Sequence, residues 1–296
     1  MNTLSPGSFS APPDWGWLIA AYFFFGGLAG GCYFLAALID LFGRIEDRPI
    51  ARLGYYITLP CLIISGMLLT LDLGRPLRFW HMLLQSNTFK IMFKPWSPMS
   101  VGSWALMVFG IFALLSFVGA LAEDRRLDRP AAHRLRPPGI LGAIIAVIGG
   151  LFAFFVAGYT GVLLAVTNRP IWSDTPLLGM LFVVSAASIS ASLMILLASK
   201  SARNLPAIAS LRRLDMCVIV LEFLVLIALL FSLGPVLHAW LNAWGLLLFF
   251  GVIVVGLIIP LALYRRAEHN AATAAALVLV GGFILRLVIV FSAQRV

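Results

Sequence analysis

Apolar residues run along this chain in eight long blocks separated by short polar stretches, at about 15–43, 53–73, 98–122, 139–167, 176–199, 212–234, 243–264 and 273–293. A helix needs roughly 20 mainly apolar residues to cross a hydrocarbon core ~30 Å thick, so each block predicts a transmembrane helix. Period-2 alternation is absent, which argues against a membrane β-barrel. The expected fold is all-α: a polytopic membrane domain of eight spans over 15–296, preceded by an outer segment, 1–14. The longest inner connection, "EDRRLDRPAAHRLRPP" at 123–138, falls between spans three and four and allows a division into two four-helix bundles.

Composition agrees with lipid as the solvent. The 296 residues are 61% hydrophobic and 11% charged, more apolar surface than a soluble domain hides. The net charge of +9 is split among short loops rather than gathered in one patch, which disfavours a nucleic-acid partner. Arg44, Arg48, Arg52, Arg125, Arg126, Arg129, Arg134, Arg136, Lys200, Arg203, Arg265 and Arg266 follow the odd-numbered spans, with Arg212 and Arg213 on the same side. The other side has Arg75, Arg78, Lys90 and Lys94 in one loop, then Arg169 and Arg295. The positive-inside rule puts the first group in the cytoplasm and both termini on the periplasmic side of an inner membrane. Residues 1–14 lack a basic n-region and the first apolar run is too long for a signal peptide, so a cleavable leader is not expected. Cys32, Cys61 and Cys217 lie inside apolar runs without a CxxC, the pattern of buried structural thiols rather than of a metal or cluster site.

Ionisable groups inside spans are costly and point to function. Asp40 stands near the inner end of span one, where an interfacial role suffices. Asp215 follows Arg212 and Arg213 within a turn, so local pairing explains it. Glu222 lies nine residues beyond Arg213, about 13 Å along a helix and well inside the bilayer. It must be paired or protonated there, and Arg286 in span eight is a candidate partner. Either a structural ion pair or a proton path through Asp215, Glu222 and Arg286 accounts for the set, since Asp215 and Glu222 share nearly one helical face. In span one, Gly26 with Gly30 and Gly27 with Gly31 form two overlapping GxxxG pairs. These serve close helix packing, and could also form a flat groove for a ring or isoprenoid tail.

A second polar group gathers at the outer boundary. Span two ends in "LLTLDLGRPLRFWHML", with Asp72, Arg75, Arg78 and His81; span four carries "GYTGVLLAVTNRPIW", with Tyr159, Thr160, Asn168, Arg169 and Trp172. A local pair of Asp72 with Arg75 is the simplest reading of the first stretch. His81, His133, His238 and His269 all stand in loops or at helix ends, so the chain lacks the two facing intramembrane histidines of a b-type haem.

These residues bring a family into view. "WGWLIAAYFFFGGLAGG", "LDLGRPLRFWHML", "FKPWSPMSVGSW" and "YTGVLLAVTNRPIW", in this order and spacing, resemble the NrfD-like membrane subunit of polysulfide reductase and its relatives across all eight spans. The resemblance implies a haem-free subunit of a multi-subunit oxidoreductase of anaerobic respiration, distinct from the substrate-reducing catalytic subunit. It implies a bound quinone or quinol (menaquinone or ubiquinone) near the membrane surface. It also implies a ferredoxin-like iron–sulfur partner and a molybdopterin-type catalytic subunit. By matching motifs, Tyr159 resembles the family's quinone-contacting tyrosine and Asp72 its acidic residue after helix two. Some members carry a polar Asn/His pair in helix one; here Tyr22, glycines and Cys32 stand there.

On this reading Tyr159, Arg75 and His81 are donors to a quinone head group, and Asp72 is a proton-exchanging neighbour. The tail would lie along the helix-one glycines, Gly27 and Gly30 among them. Arg78, Lys90 and Lys94 would dock an acidic partner face. Two other classes compete. A secondary transporter would use Glu222 and Arg286 as a coupling pair, with Pro60 and Pro260 breaking helices. A purely structural anchor would bind no quinone.

Overall fold

The structure is a computed structural model that describes residues 15–127, 130–167, 169–199, 205–266 and 270–294. Segment 1–14 and Arg129, Asn168, Lys200, Arg203, His269 and Arg295 lie outside the described residues. Among the described residues, eight helices are long and apolar enough to cross a membrane. They are α1 (Trp17–Phe42), α2 (Arg48–Asp72), α3 (Pro98–Glu123), α4 (Ile140–Ala165), α5 (Leu178–Ala198), α6 (Leu205–Leu233), α7 (Ala243–Arg266) and α8 (Ala271–Ser292). The chain is a multi-pass integral membrane protein. The face where α1, α3, α5 and α7 begin is called the N-terminal face below.

Helix ends follow local chemistry. Ser97 caps α3 by accepting from Ser100 N at 3.4 Å, with Pro98 at the first helical position. Asn242 caps α7 by accepting from Trp244 N at 2.8 Å. Gly74, at φ +66°, turns the chain sharply after α2, a conformation that favours glycine. The middle of α7, Leu248–Ile258, is wound as a π-helix, and there Gly256 lies backbone-to-backbone on Gly281 of α8.

α1 packs against α2, α4 and α5, and α3 packs against α2 and α4, closing a first bundle. In the second, α5 packs against α6 and α8, and α8 packs against α7. α1 and α5 form the seam between bundles; the core windows of these two spans are 72% and 67% buried, against 33–56% for the other six. Lipid therefore faces the outer helices, as the exposed Leu151, Phe231 and Phe250 indicate.

The second half of the connection 123–138 folds back under the first bundle. Arg136 binds Asp40 through two nitrogens, at 2.5 and 3.1 Å, and also pairs with Glu123. Arg52 reaches Asp124 at 2.8 Å and Glu123 at 3.6 Å, while Tyr56 donates to Asp124 Oδ2 at 2.7 Å. Asp40 is thus more than an interfacial carboxylate: its side chain is fully buried and Arg136 is its counter-ion.

Candidate functional site

Three groups of polar side chains stand out. The first lies inside the second bundle. α5 presents Ser185, Ser188 and Ser192 at i, i+3 and i+7, which share one helical face. α6 presents Asp215 and Glu222 opposite them, seven residues and about 10 Å apart along the axis. Asp215 accepts from Ser188 at 3.0 Å, from Ser192 at 2.6 Å and from Tyr264 of α7 at 2.9 Å. These three hydrogen bonds come from hydroxyls on neighbouring helices. Deeper in, Arg286 donates from Nη1 to Ser185 Oγ at 2.9 Å and to Gly282 O at 2.6 Å. Its guanidinium lies over the rings of Phe182 and Phe24, at 5.4 and 5.9 Å. Glu222 is buried and interacts with both Ser185 and the Arg286 charge. Among the described residues, no Glu222–Arg286 contact forms within the 4.0 Å of an ion pair. Ser185 stands where the direct pair was expected.

The second group surrounds Tyr159 on α4. Its phenol donates to Pro98 O at 2.6 Å, and its ring stacks on Phe155 at 5.7 Å. The ring lies against Gly102 of α3, where a Cβ would fall 2.2 Å away, so only glycine admits it. Phe155 also lines an apolar groove of about 460 Å³ between α3 and α4, with Phe93, Val101, Trp104, Leu151 and Phe152. The exposed Phe93, Leu151 and Phe155 place that groove on the lipid-facing surface. Trp104 fastens its rim by donating to Met92 O at 3.0 Å. On the inner side of Tyr159 lies Tyr22 of α1, and beside Tyr22 the Ser65 hydroxyl of α2 is buried without a hydrogen-bond partner.

The third group is the rim after α2. Residues Pro76–Met82 form a 3₁₀ helix, which brings Arg75, Arg78 and His81 into line at intervals of three. His81 Nδ1 lies 3.0 Å from Arg78 O, and its ring stacks on Trp80 at 3.9 Å. Asp72 is exposed, and no ion pair joins it to Arg75. Lys90 and Lys94 are exposed on the return toward α3. No hydrogen bond connects Tyr159 to Asp72, Arg75 or His81, so the set expected at one head group divides between an interior phenol and an outlying rim.

The helix-one glycines serve close packing. A Cβ on Gly30 would meet Ala153 O at 2.6 Å, and one on Gly27 would meet Arg286 Nη2 at 3.2 Å. At these two glycines that face packs against α4, α5 and α8. Gly27 makes room for the buried guanidinium.

Sequence patterning alone does not pick out Ser185, Ser188, Ser192, Tyr264 and Ser65. A signal existed for the α5 serines, since the spacing "SAASISAS" at 185–192 puts hydroxyls on one side of a span. Nothing in the sequence joins Tyr264 to Asp215, 49 positions away.

The sequence is similar to known proteins along nearly its whole length. Over 95% of its length, the protein is 29% identical to the C chain of polysulfide reductase from Wolinella succinogenes, covering 94% of that relative. It is 27% identical to protein NrfD of Escherichia coli over 95% of both. A shorter match, 28% over 34% of this chain and 22% of the other, is to the C subunit of selenate reductase from Mesobacillus selenatarsenatis. The model of the polysulphide reductase NrfD family matches residues 9–296, nearly the whole chain, and the protein belongs to that family.

Proposed function

We propose that this chain is the quinone-reactive membrane subunit of a respiratory oxidoreductase, passing electrons between a partner iron–sulfur subunit and membrane quinone. The observation that carries the reading is Tyr159, a phenol donor beside an apolar, aromatic groove that faces lipid. The fit is chemical: a quinone is an apolar ring and tail with two carbonyl acceptors, and it supplies two-electron, two-proton chemistry when bound. The groove accepts an apolar tail, Phe155 offers a ring face, and the Tyr159 hydroxyl, whose one proton now goes to Pro98 O, would donate to a quinone carbonyl by turning that proton away from Pro98. Ser65 and Tyr22 add hydroxyls on the inner side.

The partner set is a ferredoxin-like cluster subunit and a molybdopterin-type catalytic subunit. They would meet the periplasmic side of an inner membrane, where both termini of this chain also lie. Lys90 and Lys94 supply positive charge for an acidic docking face. Protons would travel through the second bundle, where Asp215 and Glu222 line one face of α6 and hydroxyls of α5 and α7 hold them. A hydroxyl both donates and accepts, so it can relay a proton while the helices stay packed. Arg286 would hold the deep end of that path.

Tyr159→Phe tests the quinone reading in the assembled complex. The expected result is a fall of about tenfold in quinone-linked turnover, the effect of losing one well-placed donor, with turnover from a soluble dye unchanged. Normal quinone-linked turnover would refute the role of Tyr159.

A further inference from the structure

A second groove runs along the other side of α3. It spans α2 from Leu59 to Leu73, is closed by Met107 and Gly110 of α3, and measures about 580 Å³. That length of helix covers about 21 Å, more than half of a hydrocarbon core ~30 Å thick, so the groove is as long as an extended acyl chain of one leaflet. The two hydroxyls that line it have already spent their protons. The Thr70 hydroxyl donates to Gly66 O at 2.7 Å, and that of Ser103 to Met99 O at 2.7 Å. A ligand with carbonyls to satisfy gains nothing there.

The mouth is different. The 3₁₀ helix Pro76–Met82 turns Phe79, Met82 and the following Leu83 toward the groove. Its threefold repeat stacks Arg75, Arg78 and His81 along one edge. Arg75 and Arg78 line a second hollow that shares Leu73 and Met82 with the groove, so the two are continuous. Between positions 53 and 122 the basic residues are Arg75, Arg78, Lys90 and Lys94, and the one acid is Asp72. Neither arginine joins an ion pair among the described residues. Two guanidinium groups over the open end of an apolar slot match an anionic head on an apolar chain. A quinone, neutral and with its polar atoms on the ring, matches neither the charge at the mouth nor the bare depth.

We infer that the α2–α3 groove is a binding site for an anionic phospholipid, its phosphate held on the Arg75–Arg78 edge and one acyl chain laid along α2. The site is separate from the Tyr159 groove and does not depend on the quinone reading.

Native mass spectrometry of the full chain, delipidated in mild detergent and then offered phosphatidylglycerol or phosphatidylcholine, tests it. The wild type should retain phosphatidylglycerol in preference to phosphatidylcholine. Arg75→Gln/Arg78→Gln should lower phosphatidylglycerol occupancy by roughly tenfold or more and abolish the preference. Gly66→Leu provides an independent check. A Cβ at Gly66 meets nothing within 4 Å, so a larger side chain there has the open groove to grow into. It should displace the lipid while leaving both arginines in place. Equal retention of the two lipids by the wild type overturns the proposal, as does undiminished phosphatidylglycerol in both variants. Measured on the protein before delipidation, a Gly66→Leu variant that loses copurified quinone and keeps its phosphatidylglycerol would give the groove to quinone and overturn it too.

Discussion

The two bundles bury charge in different ways. In the first, acid and base meet directly at the rim opposite the N-terminal face: Asp40 with Arg136, Arg136 with Glu123, and Arg52 with Asp124. In the second, the carboxylates lie within the bundle and are held by hydroxyls, with Ser185 between Arg286 and Glu222. A direct, desolvated ion pair fixes both partners, since losing either strands a buried charge. A carboxylate among hydroxyls keeps its hydrogen bonds whether or not it carries a proton, because each hydroxyl can turn from donor to acceptor. The first arrangement suits a clamp and the second suits proton exchange.

The sharpest break in that contrast is Arg136→Met. It leaves Asp40 buried without its counter-ion, and the expected loss is about 3–5 kcal/mol. Thermal unfolding in detergent should show a large drop in melting temperature, or no folded protein. Glu222→Gln should do the opposite. The amide preserves shape and hydrogen bonding, so stability should stay within about 1 kcal/mol of wild type. Proton uptake coupled to quinone turnover in vesicles should fall to background. A Glu222→Gln protein that unfolds as readily as Arg136→Met would make both bundles clamps.

Ser188→Ala comes next. It removes one of three donors to Asp215, and about 1 kcal/mol of stability should go with it. Coupled proton uptake should slow while Tyr264 and Ser192 keep the carboxylate in place. An unchanged uptake rate would remove Ser188 from the route.

The contrast is only half legible in the sequence. The eight spans are, because a run of about 20 apolar residues has few outlets other than a membrane. Glu222 and Arg286 are legible as buried charges for the same reason. What surrounds them is not, because a transmembrane serine carries little hydropathic signal and its partner is chosen by packing. Asp40 illustrates the limit. It stands 96 positions from Arg136, and only the fold of the 123–138 connection brings them together. Tyr159 is recognisable through the motif around it, yet its separation from Arg75 and His81 depends on how the chain turns after Gly74. The glycines are legible as close approach, since GxxxG announces it, but which neighbours fill that approach is not: here they are Ala153, Ala186 and Arg286.

The smallest expected effect sharpens the clamp itself. Arg52 joins the same network as Arg136, but its side chain and those of Glu123 and Asp124 are each about a quarter exposed. Water screens such pairs, and exposed ones are worth roughly 0–1 kcal/mol. Arg52→Gln should therefore lower stability by less than about 1 kcal/mol, and salt should shrink the difference further. Arg136→Met should respond little to salt, because its pair with Asp40 is shut away from the ions. The two unfolding curves, measured at low and high ionic strength, separate a clamp that rests on one buried pair from one that works as a cooperative network. If Arg52→Gln proved as damaging as Arg136→Met, the rim charges would act as a single unit, and the exposed pairs would be holding the buried one in register.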